Sequence, residues 1–145
     1  MVLKAQTETK EWIINNGTTY SSRKSTCTLP RVILGYSNPE IPYVKCSFDA
    51  SFDEISSQSR GWWILRDQDG MKNAWGSSDL NGATSPLIAE TKALLVVMQQ
   101  TWIQGFKWVI FEGDSDVLIK SIQGYITLSN IINLLQDIRF WREKF

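Results

Sequence analysis

The stretch VIFEGDSDVL, residues 109–118, decides how this chain is read. Val109, Ile110 and Phe111 form a short apolar run that ends in Glu112, Gly113, Asp114, Ser115 and Asp116, and an apolar helical pattern then begins. That pattern predicts a strand delivering a carboxylate to the mouth of a sheet, with Ser115 capping the helix that follows. A carboxylate fixed at a strand's end on rigid scaffold is well placed to hold a hard cation. Asp-Ser before a helix is also ordinary capping chemistry, so the stretch acquires a function only from its surroundings.

Immediately upstream, Ser85 and Pro86 open a helix, Ser as cap and Pro at the first position. It runs through Leu87, Ile88, Leu94, Leu95, Met98 and Trp102 and closes at Gly105. Glu90 lies in its second turn among apolar and small neighbours; taken alone it reads as an exposed helix residue. Residues 107–112 are then a strand that follows a crossover helix, so it can lie parallel to a strand already in the sheet.

Further upstream, Val44, Cys46, Phe48, Ala50 and Phe52 alternate with Lys45, Ser47, Asp49, Ser51 and Asp53. Period two predicts a strand with one apolar face and Asp49 on the other. The acids from Asp49 to Glu54 do not make a calcium loop, because an EF-hand needs Gly where Glu54 stands. Residues 61–66 (GWWILR) read as a second strand, Asp67-Gln68-Asp69-Gly70 as a turn, and residues 71–78 as a third strand, giving an antiparallel meander.

Downstream, residues 116–123 predict a short helix ended by Gly124. Residues 129–144 predict another, with Ile131, Ile132, Leu134, Leu135, Ile138 and Trp141 as a broad stripe that belongs to the core. At the other end of the chain, residues 2–14 fit a short amphipathic helix with Leu3, Trp12, Ile13 and Ile14 apolar. Residues 15–42 read as a linker, rich in Ser and Thr and broken by Pro30, Pro39 and Pro42. The expected organisation is an N-terminal helix and linker over 1–42 and one folded domain over 43–145.

Composition bounds the chemistry. At 145 residues, 43% apolar and 21% charged, the chain suits one globular domain with a real core. No apolar run approaches the ~20 residues that span a bilayer, and the N-terminus lacks a secretory apolar segment, so no membrane partner is expected and an intracellular site, nucleus or cytoplasm, is. Cys27 and Cys46 lack CxxC spacing and read as reduced thiols. Net charge is zero, but residues 1–40 carry five Lys/Arg against three Asp/Glu while 41–145 carry ten against twelve. A mildly acidic body suits a carboxylate–metal site better than an electrostatic clamp on phosphate. The chain has no histidine. Ser-His, Cys-His and His-ligated metal mechanisms are therefore excluded, leaving carboxylates, hydroxyls, Lys or a bound ion.

The order β-β-β-α-β-α, with acids in the first of these strands, the first helix and the fourth strand, resembles ribonuclease H. More closely it resembles the plant ribonuclease H-like family found alone or beside retroelement reverse transcriptases. The matching residues are Val44-Lys-Cys-Ser-Phe-Asp49-Ala-Ser51, Gly61-Trp-Trp-Ile-Leu-Arg66-Asp67, Ser85-Pro86-Leu-Ile-Ala-Glu90 and Phe111-Glu-Gly-Asp114-Ser115, within about residues 42–145.

The resemblance implies an α/β ribonuclease H-like mixed sheet, three antiparallel strands plus a parallel fourth, with helices packed on it. It also implies cleavage of the RNA strand of RNA–DNA hybrids with two Mg²⁺ ions, or Mn²⁺ in their place, about 3.5–4 Å apart. By that likeness Asp49 bridges both ions, Glu90 ligates the ion nearer the leaving group, and Asp114 ligates the ion holding the attacking water. Hybrid would be recognised by groove shape and 2′-hydroxyls. Family members continue into a fifth strand and a last helix bearing a fourth acid. Here both are missing, which predicts a truncated domain in which residues 109–111 keep an unpaired edge. Two alternatives therefore stand beside the nuclease: an inactive nucleic-acid- or protein-binding module, and a gene-model fragment. No oligomeric state is implied.

Overall fold

The computed structural model describes residues 38–145 together with the strand at residues 10–14. In chain order the elements are β1 (Lys10–Ile14), β2 (Val44–Asp53), β3 (Gln58–Arg66), β4 (Lys72–Asp79), α1 (Pro86–Ile103), β5 (Val109–Gly113), α2 (Asp116–Ile122), a 3-10 turn at Ser129–Ile131 and α3 (Ile132–Arg142). The sheet runs β1-β5-β2-β3-β4. The β2–β3–β4 meander is antiparallel and β5 lies parallel to β2, as the period-two pattern and the crossover helix predict.

Local chemistry sets the element ends. The Asp67 carboxylate accepts from the N–H groups of Asp69 (3.0 Å) and Met71 (2.9 Å), and Gly70 takes φ +75°, which closes the β3–β4 turn. Ser85 is extended, and its Oγ accepts from the Ile88 N–H at 3.2 Å, with Pro86 opening α1. Helix-favouring Ala, Leu, Met and Gln carry α1 onward, and Gly105, at φ +89°, ends it with its N–H on the Trp102 carbonyl (2.9 Å).

One face of the sheet is the core. Cys46, Phe48, Trp63 and Leu65 are buried there under Ala89, Ala93, Leu94, Val97 and Met98 of α1. Gly61 makes the close crossing: a Cβ there would lie 3.1 Å from Ala93 Cβ. α3 packs against α1 and adds Leu135 and Ile138 to the same core. Phe145 is buried edge-on against Phe111 and Trp102, at centroid distances of 5.5 and 5.6 Å. The stripe expected at 129–144 is core for Ile131, Leu135 and Ile138, while Ile132 is exposed. Its first turn is 3-10, with Leu128 offering no side-chain cap.

The N-terminal expectation is corrected. Residues 10–14, expected within a helix, form β1, which pairs antiparallel with the whole of β5, from Lys10↔Gly113 to Ile14↔Val109. The edge of residues 109–111 expected to be unpaired is therefore closed. The physical reason lies in β5: its backbone is buried among Val109, Ile110 and Phe111, and its N–H and C=O groups require a partner. Trp12, Ile13 and Ile14 are β-favouring residues that can supply one. The remainder of the predicted helix, and the linker as far as residue 37 with Cys27, lie outside the described residues. Among the described residues Cys46 is a free, buried thiol, and no helix is long and apolar enough to cross a membrane.

Candidate active site

Asp49 is half-buried in β2, on the face turned away from α1, and stands opposite Trp62 of β3. Its Oδ1 accepts from the Ala50 N–H at 2.8 Å. Two residues earlier on the same face, the Ser47 hydroxyl donates to Glu112 Oε2 at 2.9 Å, across the register pair Ser47↔Glu112. Continuing that parallel register by two residues brings Asp49 level with Asp114, just past the end of β5. Neighbouring strands lie ~4.8 Å apart, so these two carboxylates leave adjacent chains at one end of the sheet. Asp114 is exposed. Ser115 behind it accepts from the Leu118 N–H at 3.3 Å, the expected cap of α2, and Asp116 occupies the first turn, where a negative charge suits the helix N-terminus.

Glu90 arrives from the other layer. Ala93 packs on Gly61, whose register partner is Ala50, and Glu90 lies one turn earlier in α1, toward the end at which β2 and β5 finish. It is half-buried, against the exposed position expected from its helix alone. The three predicted acids thus lie on separate elements, Asp49 on β2, Asp114 just past the end of β5 and Glu90 on the covering helix. They do not form a ready-made cage: among the described residues, no three His, Cys, Asp or Glu side chains stand close enough to hold a metal ion. The donor chemistry nonetheless fits a hard divalent cation, since all three are carboxylates on separate rigid elements.

Glu112 is the acid that the sequence argument passed over. The signal was present, because Glu112 and Asp114 are two apart in a strand-like stretch, the spacing that places residues on one side. Beyond Asp49 along β2, a polar groove of about 620 Å³ opens among Ser51, Asp53, Gln58, Arg60, Asp79 and Asn81. Part of its wall is the Arg60–Asp79 ion pair (2.8 Å), and the Asn81 carbonyl accepts from the Lys92 ammonium. Asp53 turns the chain here. Its carboxylate accepts from Ser56 Oγ (2.7 Å) and the Ile55 N–H (3.0 Å), and these bonds, the Ser56 hydroxyl foremost, hold its pKa below the ordinary carboxylate value.

Comparison with known proteins agrees with this architecture. Residues 47–145 match the reverse transcriptase-like family, and the chain belongs to it. Among solved structures it is similar to the ribonuclease H1 of the halophilic archaeon Halobacterium salinarum (TM-score 0.65, 23% identity, 71% of this chain and 79% of that one). It is also similar to the N-terminal ribonuclease H domain of a Mycobacterium tuberculosis protein, solved as a maltose-binding-protein fusion (0.62, 13%, 71% and 76%). A third likeness is a ribonuclease H1 isolated from compost by a metagenomic approach, here in complex with an RNA/DNA hybrid (0.60, 16%, 68% and 75%). The fold is ribonuclease H-like. No curated protein sequence is significantly similar to the chain.

Proposed function

We propose that this protein is an endoribonuclease acting on the RNA strand of RNA–DNA hybrids, of the kind associated with retroelement reverse transcriptases in plants, and working inside the cell. The observation that carries the reading is the parallel β2–β5 register, whose continuation sets Asp49 level with Asp114, with Glu90 on the helix that covers the sheet. The hybrid bound by a protein of the same fold supports the choice of substrate. In this reading Asp49, Glu90 and Asp114 would hold two Mg²⁺ ions, Asp49 as the ligand common to both, Glu90 on the leaving-group side and Asp114 on the side of the attacking water. The bound ions supply charge neutralisation and an acidified water, worth several kcal/mol in the transition state. In this reading the three carboxylates act on one phosphodiester through the ions they would hold, and no histidine base is called on.

The test is Mg²⁺-dependent cleavage of an end-labelled RNA–DNA hybrid by the full chain. Asp49→Asn and Asp114→Asn should each lower the rate by roughly 100- to 1,000-fold, the kinetic equivalent of several kcal/mol, with an unchanged thermal melt. A cooperative melt without cleavage by the wild-type chain would replace the nuclease with a binding module on the same scaffold, and no melt would point to a fragment.

A further inference from the structure

The sheet face turned away from α1 is ordered in rows across β2, β3 and β4. Lys45, Arg66 and Lys72 form one row, with a bulge at Arg66; Ser47, Ile64 and Trp75 form the next; Asp49, Trp62 and Ser77 the third. The fourth is Ser51, Arg60 and Asp79. Trp62 is therefore the direct cross-strand neighbour of Asp49. Trp62 and Trp75 are diagonal neighbours on adjacent strands, ~7–8 Å apart at their backbones and within reach of large rings. Trp62 is 43% exposed and Trp75 77%, whereas Trp63, pointing into the core from between them in sequence, is 7% exposed.

We propose that Trp62 and Trp75 form a stacking platform for unpaired bases of a single nucleic-acid strand, RNA or DNA, whose backbone leads to the carboxylates at Asp49. Only the last clause rests on the nuclease reading; the platform itself does not. Indole faces stack on any nucleobase, and each such contact contributes strongly to single-strand binding. Within a duplex those base faces are already covered by their neighbours, so the platform selects a strand with free ones. Positive charge stands at one end of the indole pair, where Arg66 and Lys72 face each other and a phosphate chain would pass; Arg60, at the other end, is paired with Asp79. A dry protein partner would instead bury Asp49 and Arg66 beside the indoles at a desolvation cost that a solvated strand avoids.

The experiment is fluorescence anisotropy with labelled single-stranded 12-mers, oligouridylate and oligothymidylate, titrated with the full chain in EDTA so that turnover is absent. Trp75→Leu and Trp62→Leu, which keep an apolar side chain but lose the ring, should each weaken binding by about tenfold or more, while Trp75→Phe keeps most of it. Preference for one oligomer identifies the strand as RNA or DNA. Absence of wild-type binding, or Leu variants that bind as tightly as wild type, overturns the platform. If Trp62→Leu loses its cooperative melt, Trp75→Leu at the more exposed position carries the test alone. Oligomer binding without hybrid cleavage leaves the platform standing and removes the nuclease. Cleavage together with Leu variants of unchanged affinity does the reverse.

Discussion

Cys46 and Asp49 sit three residues apart on one strand, and their environments divide the chemistry of the chain. Cys46 faces α1 and is completely enclosed, so burial pushes its thiol pKa well above the ordinary value. Below the unfolded chain's thiol pKa of about 8.5, the group is neutral in both states and its burial contributes in full. Above that pH the unfolded chain ionises while the folded chain does not, so stability falls as pH rises toward the raised folded value. The expected outcome is a urea midpoint that drops more steeply between pH 8 and 10 in wild type than in Cys46→Ala. Parallel curves would show that the thiol is not enclosed. Asp49, on the other face, keeps company with polar groups and an exposed indole, which leaves it available to a cation.

At the scale of the elements, alternation placed these residues correctly. Asp49 was assigned to the polar face of its strand, Ser85 and Ser115 to helix caps, and Asp67–Gly70 to a turn, because each assignment depends on neighbours within four positions. β1 and the first turn of the predicted 129–144 helix went otherwise. In β1, the run of Trp12, Ile13 and Ile14 fits a helix and a strand alike, and a partner about a hundred residues away chose between them. β5 also shows how tightly the core face is set. A Cβ at Gly113 would stand 2.7 Å from Phe48 Cζ, and Phe48 is buried. Gly113→Ala should therefore destabilise the fold by about 1–3 kcal/mol through overpacking, read as a lower midpoint in chemical denaturation. An unchanged midpoint would mean that Phe48 can move aside.

For the molecule as a whole, the sheet's order makes the N-terminal strand part of the domain rather than an appendage to it. β1 covers the edge of β5, the strand that ends beside Asp114, and Lys10 is the register partner of Gly113. Removing residues 1–14 should strip the ladder bonds from one side of β5, at a cost on the order of 2–4 kcal/mol at roughly 0.5–1.5 kcal/mol per bond. It should also leave an edge open to association. Thermal melting and sedimentation of the shortened chain check this; a melt equal to that of the full chain would show that β1 adds nothing to the fold.

The sequence by itself determined the strands of the meander, the crossover helix, the caps, the turn and the absence of any histidine chemistry. These follow from side-chain periodicity and from residue types whose preferences act over a few positions. The tertiary structure decided that β1 closes the sheet, that Glu112 is held by Ser47, and that Trp62 stands beside Asp49 with Trp75 on the next strand. Backbone hydrogen bonds are alike for nearly every residue, so a strand's partner is not written in its own composition. It emerges when distant segments compete to cover the same buried edge.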